Sequence, residues 1–145
     1  MIITKRVEFD YGHRIPNHKS KCFSPHGHLC VLEVTLEGDV KSIRGESDDG
    51  MVLDFSDVKA VIMELIVNKW DHAFLIWEGD TLLLDALDKF GWKINILPCV
   101  PTAEELAEYI FGILDKAYSE LYKDELKLTQ VRFYETPNSW ADAKR

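Results

Sequence analysis

Cys22-Phe23-Ser24-Pro25-His26-Gly27-His28 is the stretch from which the rest of the chain is read. It sets a thiol ahead of a His-x-His pair. Neutral imidazole is the commonest protein ligand for zinc. If His26-Gly27-His28 runs as a β-strand, the period of two sends both rings to one face. The intervening glycine lets another backbone approach from the other face. A third imidazole stands upstream at His13, in Phe9-Asp10-Tyr11-Gly12-His13-Arg14. Three protein ligands with one position left open is the arrangement of a catalytic zinc; a structural zinc is usually closed by four. The competing reading is a pair of surface strand histidines.

Working outward, residues 2–13 alternate apolar and polar and read as a strand ending at His13. Residues 14–25 form a polar loop carrying Pro16, Asn17, Ser20 and Pro25. From His26 to Val40 the pattern is strand-like again. His26, His28, Cys30, Leu32, Val34 and Leu36 share a face, so the candidate ligands stand at one end of an apolar stripe. Residues 41–50 read as a solvated connection and Met51-Val52-Leu53 as a short strand. Asp54 is placed to cap a helix with Val58, Ile62, Leu65 and Ile66 on its core side. A short helix from Asp80-Thr81 to Phe90 and a strand over 92–97 follow. Thr102-Ala103-Glu104-Glu105 matches a capping box, with Glu105 reaching back. The second long helix then buries Leu106, Ile110, Leu114 and Leu121. The last strand spans Lys127–Glu135, and the tail Ala141–Arg145 reads as polar and unstructured.

Composition bounds the function. A chain of 145 residues accommodates one domain, here 1–145, with a sizeable core. A net charge of −8 argues against nucleic-acid binding, which uses a basic surface. Arg14, Lys19 and Lys21 nonetheless bracket Cys22 with no acid among them, which suggests an anionic ligand; a solvated loop is the plainer reading. Cys22, Cys30 and Cys99 are an odd set without paired spacing, so free thiols in a reducing compartment are expected. No signal peptide and no apolar run of membrane-spanning length is present, and a cytoplasmic enzyme is expected. Asp71-His72 sits between a helix and apolar residues. Neighbours on a helix do not face each other, so the pair requires irregular backbone if both act on one site. A dipole-favoured helix-terminal histidine is the alternative. Glu135 continues an apolar strand face, and an idle buried carboxylate is costly.

Taken together, these pieces resemble the 6-pyruvoyl-tetrahydropterin synthase superfamily. Phe9-x-x-x-His13, Cys22-x-x-x-His26-Gly27-His28, Gly50-Met51-Val52-Leu53-Asp54-Phe55, Asp71-His72, Pro101-Thr102-Ala103-Glu104 and Tyr134-Glu135-Thr136 carry the resemblance across nearly the whole chain. The three-residue gap between Cys22 and His26 resembles the carboxy-type branch. Trp77-Glu78 stands where an Asn-Glu pair is common after the Asp-His motif of that superfamily.

The resemblance implies an α+β tunnelling fold: an antiparallel four-stranded sheet with two long helices on one face, closing into a β-barrel on oligomerisation. It implies a homo-hexamer, a dimer of trimers, with sites between subunits. The implied substrate is a small pterin, 7,8-dihydroneopterin triphosphate, converted to 6-carboxytetrahydropterin, acetaldehyde and triphosphate on the way to 7-deazaguanines such as queuosine. The pyruvoyl-type reaction, which stops at triphosphate elimination, is the alternative. The implied roles are Zn2+ on His13, His26 and His28, Cys22 as base, and Asp71 orienting a proton-shuttling His72. Glu135 and Thr136 would grip the pterin, and Arg14, Lys19 and Lys21 the triphosphate. A zinc hydratase, which would leave Cys22 and Glu135 idle, and a non-catalytic binding module are the rivals from other classes.

Overall fold

The computed structural model describes residues 1–145. β1 (Ile2–His13) and β2 (His26–Gly38) pair antiparallel along their whole length, from Ile2 opposite Glu37 to His13 opposite His26. The loop between them therefore only has to return the chain, and the register itself brings His13 to the His-Gly-His segment. Alternation does the rest. Phe9, Tyr11 and His13 on β1 and Cys30, Leu32, Val34 and Leu36 on β2 turn to the same buried side.

The sheet has six strands in the order β4-β3-β1-β2-β5-β6. β5 (Leu126–Thr136) runs antiparallel to β2, and β6 (Ser139–Lys144) antiparallel to β5. β3 (Ala73–Trp77) joins the other edge parallel to β1, and β4 (Ile94–Leu97) lies parallel to β3. The expected four-stranded antiparallel sheet is thus corrected to a mixed six-stranded one, whose antiparallel part is β1, β2, β5 and β6. Ala73-Phe74-Leu75-Ile76-Trp77 is a continuous apolar run without alternation, as strands buried on both faces are. It was hidden against the helix before it.

One helical run crosses the buried face. It comprises α1 (Phe55–Ile62), a π turn at Met63–Val67 and α2 (Asn68–Trp70). Asp54 caps it, its carboxylate accepting the Ser56 N–H at 2.7 Å. After α3 (Thr81–Asp88), the longest helix, α4 (Ala103–Tyr122), packs beside that run. Thr102 Oγ1 accepts from the Glu105 N–H at 3.3 Å. The reciprocal half of the capping box is missing, because the Thr102 N–H donates to the Val100 carbonyl instead. Both helical runs join the strands in one apolar cluster containing Val58, Ile62, Ile66, Trp70, Leu106, Ile110 and Leu114. Burial on that scale is the main stabilising term of the domain.

Three local expectations are corrected. Met51-Val52-Leu53 is not a strand; Met51 accepts the Lys41 N–H at 2.9 Å and donates to the Asp48 carbonyl at 3.0 Å within a loop. Leu121 is 60% exposed, one turn past where α4 leaves the core. The tail is ordered as β6, where Asp142 meets the Arg132 guanidinium at 2.6 and 2.8 Å and Ala143 is buried.

Candidate active site

The three imidazoles converge. Ring centroids are 4.6 Å apart for His13 and His26, 5.1 Å for His13 and His28, and 4.9 Å for His26 and His28. One ligand nitrogen from each lies within 4.8 Å of the others. The tautomers are set from behind. His13 Nδ1 donates to the Pro101 carbonyl at 2.7 Å, and His26 Nδ1 to the Ser24 carbonyl at 2.8 Å. Each bond leaves Nε2 as the lone-pair side, as metal-bound histidines are usually arranged. His13 Nε2 and His26 Nε2 then stand 3.1 Å apart. The buried Nε2 of His28 has no hydrogen-bond partner. An orphaned imidazole nitrogen facing two others fits a metal ion of zinc's ligand preference.

Electrostatics agree with that fit. Burial pushes the His13 imidazole down to about 4, against the opposing pull of the Pro101 carbonyl. Burial also lowers His28, although the Glu135 carboxylate works the other way. Both rings are therefore neutral near pH 7, the form that can ligate.

Glu135, at the end of β5, opens onto the same cluster. Its Oε1 lies 3.6 Å from His13 Nε2 and 3.8 Å from His28 Nε2. Thr136 follows it and pairs with Ser139 at the turn into β6. Cys22 sits on a 3-10 turn, Lys21–Phe23, in the loop that links the two ligand strands, β1 and β2; its carbonyl accepts the Ile15 N–H at 2.8 Å.

Asp71 and His72 lie elsewhere on the chain. His72 adopts φ 58°, in the left-handed region, so the pair does occupy irregular backbone. Asp71 accepts from the Asp10 N–H at 3.1 Å and holds His72 Nδ1 at 2.9 Å. Partial burial works to raise the Asp71 carboxyl, but the Asp10 N–H, His72 and Lys93 together bring it below the usual carboxylate range. The His72 ring is 75% exposed. Asp10, Asp71 and His72 form a cluster of their own, separate from the three imidazoles.

The basic group is also divided. Arg14 is not free to hold an anion: its Nε and Nη2 donate to the two Asp80 oxygens at 2.6 and 2.5 Å. That bidentate bond raises the guanidinium further above its ordinary value, and the guanidinium also lies over the Phe23 ring. Lys19 and Lys21 remain without an ion pair within the chain. Sequence reasoning missed the Asp80 partner, the Pro101 and Ser24 carbonyls, and Tyr11. The last was within reach: two residues before His13 on a strand, it had to share that histidine's face.

A family model described as 6-pyruvoyl tetrahydropterin synthase matches residues 2–145. The chain belongs to the 6-pyruvoyl tetrahydropterin synthase family. Among curated relatives, the 6-carboxy-5,6,7,8-tetrahydropterin synthase of Haemophilus influenzae is 32% identical, with 97% of this chain and 96% of the relative covered. The protein of the same name from Aquifex aeolicus is 33% identical, covering 98% and 96%. Among solved structures, an uncharacterized protein of Wolinella succinogenes superposes with a TM-score of 0.81 at 23% identity, covering 100% of this chain and 98% of the other. The 6-pyruvoyl tetrahydropterin synthase of Caenorhabditis elegans gives 0.67 at 25% identity, covering 100% and 95%. The mixed sheet with helices on one face is therefore this family's fold.

Proposed function

We propose that the chain is a carboxy-type tetrahydropterin synthase. It would convert 7,8-dihydroneopterin triphosphate to 6-carboxytetrahydropterin, acetaldehyde and triphosphate, in the cytoplasmic supply of 7-deazaguanines. The single observation that carries the reading is the convergence of His13, His26 and His28, backed by carbonyls and faced by Glu135. Relatives that bear the carboxy-type name over nearly the full length support this branch over the pyruvoyl type.

His13, His26 and His28 would hold zinc, whose Lewis acidity makes the protons beside the substrate's side-chain hydroxyls easier to remove. Glu135 accepts two parallel N–H bonds from the amino and ring N–H edge of the pterin, and Thr136 adds a hydrogen bond. Cys22, as thiolate, is the base; a nearby cation favours that form. Asp71 fixes the His72 ring, and the exposed ring nitrogen moves a proton. Lys19 and Lys21 hold the triphosphate. The separation of the Asp71–His72 pair from the imidazole cluster supports a site completed by a second copy, within the homo-hexamer that the family resemblance implies.

The test is to incubate zinc-loaded protein with dihydroneopterin triphosphate and identify the products by mass. Carboxytetrahydropterin with acetaldehyde is expected, and Cys22→Ala should lower turnover by about 100-fold or more while retaining zinc. A product keeping the three-carbon side chain would make the chain a pyruvoyl-type enzyme. Full turnover by Cys22→Ala would favour a zinc hydratase instead.

A further inference from the structure

Buried side-chain nitrogens and oxygens without any hydrogen bond are rare in folded proteins, because each forfeits its hydration. In this chain there are two, His28 Nε2 and the Tyr11 hydroxyl. They occur together. The Tyr11 ring is 5.0 Å from that of His13 and 5.8 Å from that of His28. A metal accounts for the histidine nitrogen; a phenol that keeps its proton still has a hydrogen to donate, and an acceptor is what would take it.

The acceptor is indicated by the direction of the side chain. Tyr11 stands on β1, with His28 of β2 directly opposite. Its ring also packs against Phe133 at 5.7 Å, on β5 and so two strands away. The side chain thus leans across β2 toward the strand that carries Glu135. The Glu135 carboxylate receives no hydrogen bond within the chain; its neighbours are the His13 and His28 nitrogens at 3.6 and 3.8 Å. Once those lone pairs are given to a metal, neither nitrogen can donate to the carboxylate. A donor without an acceptor and an acceptor without a donor then remain on one face of the sheet.

We propose that Tyr11 is a positioning residue for Glu135: in the metal-loaded protein its hydroxyl donates to the Glu135 carboxylate and holds it in the orientation that grips the pterin edge. The inference rests on the proposed pterin-binding role of Glu135. A carboxylate fixed at one oxygen by a buried phenol has lost most of its rotational freedom, so the ligand does not have to order it on binding. The bond acts on ground state and transition state alike, which places its effect in KM rather than kcat.

Tyr11→Phe removes the hydroxyl and leaves the ring contacts. Zinc-loaded wild type and Tyr11→Phe are compared in zinc stoichiometry, melting temperature, neopterin affinity by fluorescence, and KM and kcat with dihydroneopterin triphosphate. Equal zinc, a melting temperature equal to or slightly below wild type, about tenfold weaker neopterin binding and a matching rise in KM, with kcat within about twofold, are expected. Unchanged neopterin affinity and KM would overturn the assignment, as would a fall in kcat that tracks zinc loss. If wild type binds neopterin but releases no triphosphate from the substrate, the proposed reaction fails, while the affinity ratio still decides Tyr11. If wild type binds no neopterin, both fall.

Discussion

Two residues of the polar loop and its flanks look alike in the sequence and behave differently in the fold. His28 presents a buried nitrogen with no protein partner, and Arg14 a charge that is fully partnered. His28→Ala removes one of three ligands, so zinc retained after desalting, measured by elemental analysis, should drop roughly tenfold or more. Arg14→Met leaves the Asp80 carboxylate, 5% exposed, without its counter-charge. That should cost about 3 kcal/mol in denaturant melts and leave KM close to wild type. Charge reversal at Lys19 and Lys21 should do the opposite, raising KM with little loss of stability. The two arms separate a loop held together by Arg14 from a loop that holds triphosphate.

Among the elements, β6 was the least legible. Its residues, Ser139-Trp140-Ala141-Asp142-Ala143-Lys144, are polar and short, and nothing local marks them as a strand. The pairing partner supplies the reason: Arg132 on β5 clamps Asp142, stacks on Trp140 at 5.2 Å, and so organises an edge strand from a distance. The hydrogen bonds from Arg132 bring the Asp142 carboxyl down to about 2. An unfolded aspartate titrates near ~3.9. The stabilisation is therefore fully present above about pH 4 and is lost as the pH falls through about 2. After allowance for solvent screening it amounts to about 1 kcal/mol. Asp142→Asn should melt a few degrees lower than wild type at pH 7. The gap should narrow as the pH is taken from 4 toward 2, when the two proteins are followed by circular dichroism.

At the level of the whole molecule, the sheet ends in two open edges, β4 and β6, and the Asp71–His72 pair is not gathered with the imidazoles. Both features fit a subunit that is completed by copies of itself, since edge pairing removes unsatisfied backbone groups. Sedimentation should give a hexamer. Mixed hexamers of Cys22→Ala and His72→Ala, each inactive alone, should regain a fraction of wild-type turnover if one site draws on two subunits; no recovery would place each site within one chain. The alternation of β1 and β2, the apolar spacing of both long helical runs, and the face shared by His26 and His28 were all written in the local order of residues, because a strand period of two and a helix period of 3.6 assign faces without help from afar. Which partners those faces meet was not. The parallel placement of β3, the capture of Arg14 by Asp80, the backing of His13 by Pro101 and the strand at the tail join residues far apart in the chain. Each depends on a pairing energy that exists only once the intervening segments have folded between them.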